Sequence, residues 1–169
     1  AISYIKSDLK KGNKVIVIVS AMGKETDRLL SLYEGLEEYR DTDDISALLS
    51  SGELASSALF AIMLNKLGIK GKSYQGWQLP IITQDNNYNS LINQINVNQL
   101  KNSLKKNEVP VVSGFQGINA KNRITTLGRG GSDTTAVALA YKLKAIRCDI
   151  YTDVEGVFTA DPRIVNNAK

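Results

Sequence analysis

Apolar residues recur at helical spacing through Ile2, Ile5 and Leu9, stop at Gly12-Asn13, and give way to the unbroken run Val15 to Val19. That order predicts a helix, a turn and a strand buried on both faces. Ser20 to Gly23 follows as a loop, and Thr26-Asp27 offers a cap to a helix carrying Leu29, Leu30 and Leu32. Residues 37–44 are charged and predict a surface connection. From Ile45 to Leu67 the apolar spacing is helical again, with Ser50-Ser51-Gly52-Glu53 predicted to end one helix and start another. Gly68 terminates it.

Further along, short strands are expected at Lys70 to Tyr74, Ile81 to Thr83, Leu91 to Ile95, and Val109 to Ser113, with a helix from Asn98 to Lys106. Asn119 to Asn122 reads as a turn and Arg123 to Thr126 as a short strand arm. After Gly128 to Asp133, a helix places Ala136, Leu139, Ala140 and Leu143 on one face. Cys148 to Thr152 is expected as a last strand. Strands alternating with helices predict one α/β domain over residues 1–169, built as a mainly parallel sheet covered on both sides.

Composition narrows the chemistry more than the fold. The 169 residues are 43% hydrophobic and 22% charged with three prolines, which fits a globular chain and not a disordered one. A net charge of +4, with no basic run longer than Lys10-Lys11 or Lys105-Lys106, argues against a nucleic-acid partner. The longest wholly apolar run, Val15 to Val19, is far short of the roughly 20 residues of a membrane span. Cys148 is the single cysteine, so no internal disulfide can form, which suits a cytoplasmic setting; beside an apolar strand it reads as core. Histidine is absent from the sequence, which removes Ser-His and Cys-His schemes and the commonest zinc ligands. Chemistry falls to carboxylates, cationic side chains, hydroxyls and the backbone.

In a wound parallel sheet, ligands sit at the carboxyl ends of the strands. The loop from Leu127 to Thr135 is the sharpest candidate: adjacent glycines let the backbone approach a ligand, and the helix start supplies unpaired N–H groups. Arg129 adds a fork suited to a carboxylate or phosphate. Asp133 serves either as a helix cap or as an acceptor for an ammonium group. Ser50 and Glu53 have capping-box spacing, and the alternative puts Glu53 at the mouth of the sheet as an acceptor for an amine. Thr26 is a cap or a site hydroxyl. Residues Thr152 to Arg163 combine carboxylates, an aromatic ring and a guanidinium, as a nucleotide requires.

Taken together, Val19 to Asp27, Ser51-Gly52-Glu53, Gly76-Trp77-Gln78, Gly114-Phe115-Gln116-Gly117, Thr125 to Thr135 and Tyr151 to Arg163 resemble aspartokinases of the amino-acid kinase superfamily. The order matches across nearly the whole chain, and Thr126 to Asp133 and Thr152 to Val157 are the most specific runs. The resemblance implies a three-layer α/β/α catalytic domain that transfers the γ-phosphoryl group of ATP, with Mg2+, to the side-chain carboxylate of L-aspartate. Lysine, threonine and methionine biosynthesis would follow, in a cytoplasmic enzyme that is a homo-oligomer at full length. It implies that Arg129 holds the α-carboxylate, that Glu53 and Asp133 lie near the amino group, and that Thr26, Phe115, Gly130, Gly131 and Ser132 complete the acceptor site. On the nucleotide side it points to Thr152 and Asp153 at ribose and adenine, Phe158 against the base, and Asp161 and Arg163 near the phosphates. No residue is implied as a direct metal ligand.

Two departures bear on activity. Aspartokinases begin with a strand and a Lys-Phe-Gly-Gly-Thr-Ser type loop for the transferring phosphoryl group, which is not found in this sequence. A further lysine and the regulatory ACT domains are expected beyond Lys169. The 169 residues alone are therefore expected to turn over little or not at all. Competing readings are a binding fragment that keeps the aspartate or nucleotide pocket, and a glutamate or acetylglutamate kinase of the same superfamily.

Overall fold

A computed structural model of the chain describes residues 2–36, 42–84 and 90–152. Strand β5 (Val109–Ser113) is buried at every position because it pairs on both sides, with β1 (Val17–Val19) and β2 (Gly71–Tyr74), all parallel. Its side chains alternate between two cores, as the period of two requires. Val109 and Val111 pack with Ile5 of α1 (Ile2–Lys10) and with Ala61 and Leu64 of α3 (Thr42–Lys66). Val112 faces the other way, into a cluster with Leu100 of α4 (Asn98–Lys105) and Leu139 of α5 (Gly131–Leu143). Helices thus cover both faces of a parallel sheet, the α/β architecture expected from the alternating pattern.

A second sheet, not foreseen as separate, has the order β4 (Ile92–Ile95), β3 (Ile81–Thr83), β6 (Gln116–Ile118), β7 (Ile124–Thr126). Its central β3–β6 pair is parallel and its outer pairs antiparallel. Three residues with a central glycine are too short to show an alternating pattern, which is why β6 was not anticipated.

Several local expectations are corrected. The Val15–Val19 run forms a strand only over Val17–Val19, and that strand is half-buried, because β5 is its one partner among the described residues. Residues 45–67 do not break at Ser50 to Glu53: α3 runs through as 25 residues, with the Ser50 and Ser51 hydroxyls donating back to the Ala47 and Leu48 carbonyls. No capping box exists there, since a helix interior leaves no free amides to cap. The helix α2 (Glu25–Ser31) starts one residue before Thr26, with Lys24 at its N-cap and no side-chain cap bond. Residues 148–152 form no strand, and Cys148 is exposed, not core, because no described strand pairs with that segment.

By length and composition α3 could cross a membrane over Asp43–Lys66. It lies instead along both sheets, with Leu49, Ala61 and Leu64 buried.

Candidate active site

The carboxyl end of the parallel sheet gathers three loops: residues 20–24 after β1, Gly114-Phe115 after β5, and the 3-10 turn Gly76–Gln78 after β2. Glu53 sits beneath them on α3 with 4% of its surface exposed. Its Oε1 accepts the Ala21 amide at 2.9 Å, while Oε2 is buried without a partner among the described residues. Burial raises its pKa above the usual 4.5, and the backbone amide at Ala21 only partly offsets this. A half-satisfied buried carboxylate is costly to leave alone, and an ammonium group is the natural complement.

Glycines bring the elements this close. A Cβ on Gly52 would stand 2.9 Å from the Ala21 Cβ, so only glycine lets α3 approach the β1 loop. On Gly114 it would fall 2.7 Å from Ser132 Oγ, which ties the end of β5 to the first turn of α5. Ser113, fully buried, has its hydroxyl within hydrogen-bond reach of the Glu53 carbonyl (3.1 Å), Ser57 Oγ (2.9 Å) and Gln75 Oε1 (2.6 Å). One residue therefore joins α3, β5 and the β2 turn, and its neighbour touches α5.

Phe115 adopts φ +67°, a conformation that bulky residues rarely take. Its N–H donates to Thr135 Oγ1 at 3.2 Å, its carbonyl accepts from the Leu127 amide at 2.8 Å, and its ring packs where a Gly131 side chain would be. Surrounding contacts thus hold the strained residue in place, as is common at ligand sites.

Arg129 stands exposed between Gly128 (φ +76°) and Gly130 (φ +69°), and Gly130 is the N-cap of α5 without a side-chain cap. The Gly131 amide bonds back to the Gly128 carbonyl; those of Ser132 and Asp133 have no backbone acceptor among the described residues. Two amides without a backbone acceptor among the described residues, the positive end of a 13-residue helix and a guanidinium together suit an oxyanion. Asp133 is exposed in the same turn, and Thr26 is half-buried in the first turn of α2.

The structure thus links Glu53, Phe115, Gly131 and Ser132 through direct contacts and carries Arg129, Gly130 and Asp133 on the adjoining loop and helix start. Thr152 is exposed at the edge of the described residues. Asp153, Phe158, Asp161 and Arg163 lie outside them. Among the described residues no three or more His, Cys, Asp or Glu side chains cluster as a metal site. Sequence reasoning missed the Ala21 amide, Ser113 and Gln75; the one available signal was the glycine at position 52 inside an otherwise helical run.

Among known families, the amino acid kinase family matches residues 1–169. The chain belongs to the amino acid kinase family. An aspartokinase of Rickettsia conorii is 47% identical over 171 residues, covering 99% of this chain and 43% of that protein. One from Geobacillus stearothermophilus is 48% identical over 162 residues, covering 96% of the chain and 40% of the relative. This amino acid kinase chain therefore spans about two fifths of the length of such relatives. Among solved structures, an aspartate kinase from Synechocystis superposes with a TM-score of 0.76 at 42% identity, over 99% of this chain and 27% of its own. Aspartokinase III of E. coli, solved with aspartate and ADP, gives 0.69 at 35% identity, over 86% of this chain and 34% of its own.

Proposed function

We propose that this protein is an aspartate kinase: a side-chain carboxylate oxygen of L-aspartate attacks the γ-phosphorus of ATP, ADP leaves, and 4-phospho-L-aspartate forms. The observation that carries the reading is Glu53, a buried carboxylate with one oxygen unpartnered among the described residues, linked through Ser113, Gly114 and Ser132 to the start of α5. An α-amino acid offers an ammonium and a carboxylate on one carbon, which is the pairing these two features ask for.

The acceptor carboxylate, with a pKa of about 3.9, is ionised at neutral pH and needs no general base, in keeping with a chain that lacks histidine. Positioning and charge neutralisation carry such a transfer. Arg129 and the α5 amides hold the α-carboxylate, and Glu53 with Asp133 takes the ammonium. Phe115, Thr26 and the Gly130-Gly131-Ser132 backbone shape the pocket. Thr152, Asp153, Phe158, Asp161 and Arg163 receive the nucleotide. Magnesium typically needs only one or two carboxylates besides phosphate oxygens, so an ion carried by the nucleotide is part of the proposal. The same proposal extends to a cytoplasmic homo-oligomer serving lysine, threonine and methionine synthesis. It concerns the whole enzyme; for the 169 residues assayed alone, little or no turnover is expected.

Trapping the acyl phosphate with hydroxylamine tests the reading. Hydroxamate from aspartate and ATP, but not from glutamate or acetylglutamate, supports it. Product from either alternative overturns it, and aspartate binding without product under any nucleotide condition favours a binding role.

A further inference from the structure

Thr126 has a side-chain oxygen that the reading above leaves unused. The residue is 1% exposed, and its Oγ1 is buried with no hydrogen-bond partner. Its neighbour Thr125 projects to the other face and pairs with Thr83 Oγ1 at 2.7 Å, so the lack of a partner is specific to Thr126. In the β6–β7 ladder Thr126 stands directly opposite Gln116, and opposed residues put their side chains on the same face of a sheet. The Gln116 side chain reaches the Ser50 carbonyl of α3, which fixes that face as the one toward α3. Glu53 lies three residues beyond Ser50, on the same side of the helix. Among the described residues its Oε2 is likewise buried with no partner.

A buried anion on α3 and a buried hydroxyl on β7 thus border one layer, and neither has a donor among the described residues. Leaving both unsatisfied is costly, and one guest with several N–H groups removes both costs. The chain adds a reason for that guest to be an α-amino acid: Thr126 is followed by Leu127 and Gly128 and then by Arg129, which would hold the carboxylate. We propose that Thr126 is a further binding residue of the acceptor site, accepting one hydrogen of the substrate's α-ammonium group while Glu53 Oε2 accepts another. This rests on the amino-acid acceptor reading given above and names a residue that it did not include.

Succinate, which is aspartate without its amine, separates the proposal from a structural role. In the full-length enzyme, Thr126→Val removes the hydroxyl with little change of shape, and Thr126→Ser keeps it. The expected result is about a tenfold or greater loss of aspartate affinity in the Val variant, in line with losing a hydrogen bond to a charged group. Succinate affinity should be unchanged, and Ser should restore aspartate binding. If Val weakens aspartate and succinate equally, or leaves the preference for aspartate intact, Thr126 does not contact the amine and the inference fails. Should the unmodified enzyme show no preference for aspartate over succinate, the acceptor assignment itself is what fails. Should the Val variant not fold, Thr126→Ala and Thr126→Cys compared with Ser give the same reading.

Discussion

The Ala21 amide donates to Glu53 Oε1 across 2.9 Å, joining the loop after β1 to the middle of α3. A carboxylate deep in a helix interface thereby anchors a loop at the rim of the sheet, and its second oxygen is buried without a partner among the described residues.

Replacing Glu53 with Gln should separate stability from binding. Burial raises the folded pKa above 4.5, so between that value and the folded pKa the native state holds more protons than the unfolded one. Stability contributed by this group is then present at low pH and lost as pH rises through the folded value. Gln carries no charge to desolvate and can still accept the Ala21 amide. Thermal melts should show the variant gaining on the parent at neutral pH and the gain vanishing below pH 4.5, while aspartate affinity falls at least tenfold at neutral pH. A gain that does not change with pH would refute this account.

Gly52→Ala pits helix propensity against packing. In an exposed helix the change would stabilise by about 1 kcal/mol. Here the new Cβ would stand 2.9 Å from the Ala21 Cβ, and overpacking of this kind costs about 1–3 kcal/mol. Chemical denaturation should therefore show a net loss, and the aspartate KM should rise as the Ala21 loop moves away from Glu53. Net stabilisation would show that the contact relaxes freely.

At Gly114 the obstruction is harder, since the added Cβ would meet Ser132 Oγ at 2.7 Å and its Cα and Cβ at 2.8 Å. Backbone cannot swing aside as a flexible side chain does. Gly114→Ala is expected to lower stability by about 1–3 kcal/mol and to cut kcat/KM more than Gly52→Ala, because it shifts the helix start proposed to receive the carboxylate. Kinetics on both variants side by side would decide this order.

Arg129→Lys tests recognition without touching the core. Arg129 is exposed, so the melting temperature should move by less than the equivalent of about 0.5 kcal/mol. A lysine keeps the charge and loses the planar fork, so the aspartate KM should rise by an order of magnitude or more. An unchanged KM would remove Arg129 from the acceptor site.

Much of this protein could be read along the chain. The alternation of apolar helices with β-branched runs indicated a parallel sheet with helices on both faces, and β2, β3, β4, β5, β7, α1 and α4 fall within a residue or two of their expected bounds, while α5 starts earlier, at Gly131. Gly128 to Asp133 was legible as a glycine turn leading into a helix, because a glycine pair at a helix start is a local device.

What the sequence could not decide was whatever depends on a distant neighbour. Ser50 and Glu53 have the spacing of a capping box, yet α3 runs on through them, because the helix packs against both sheets and tertiary burial outweighs a local cap. The same continuity turns Glu53 from a cap into a buried carboxylate under the β1 loop. Cys148 to Thr152 has strand-like composition and forms no strand among the described residues, since a strand exists only where another offers its backbone. Local chemistry set the elements and the glycine loop; which oxygens were left without partners, at Glu53 and Thr126, was fixed only when α3 met the two sheets.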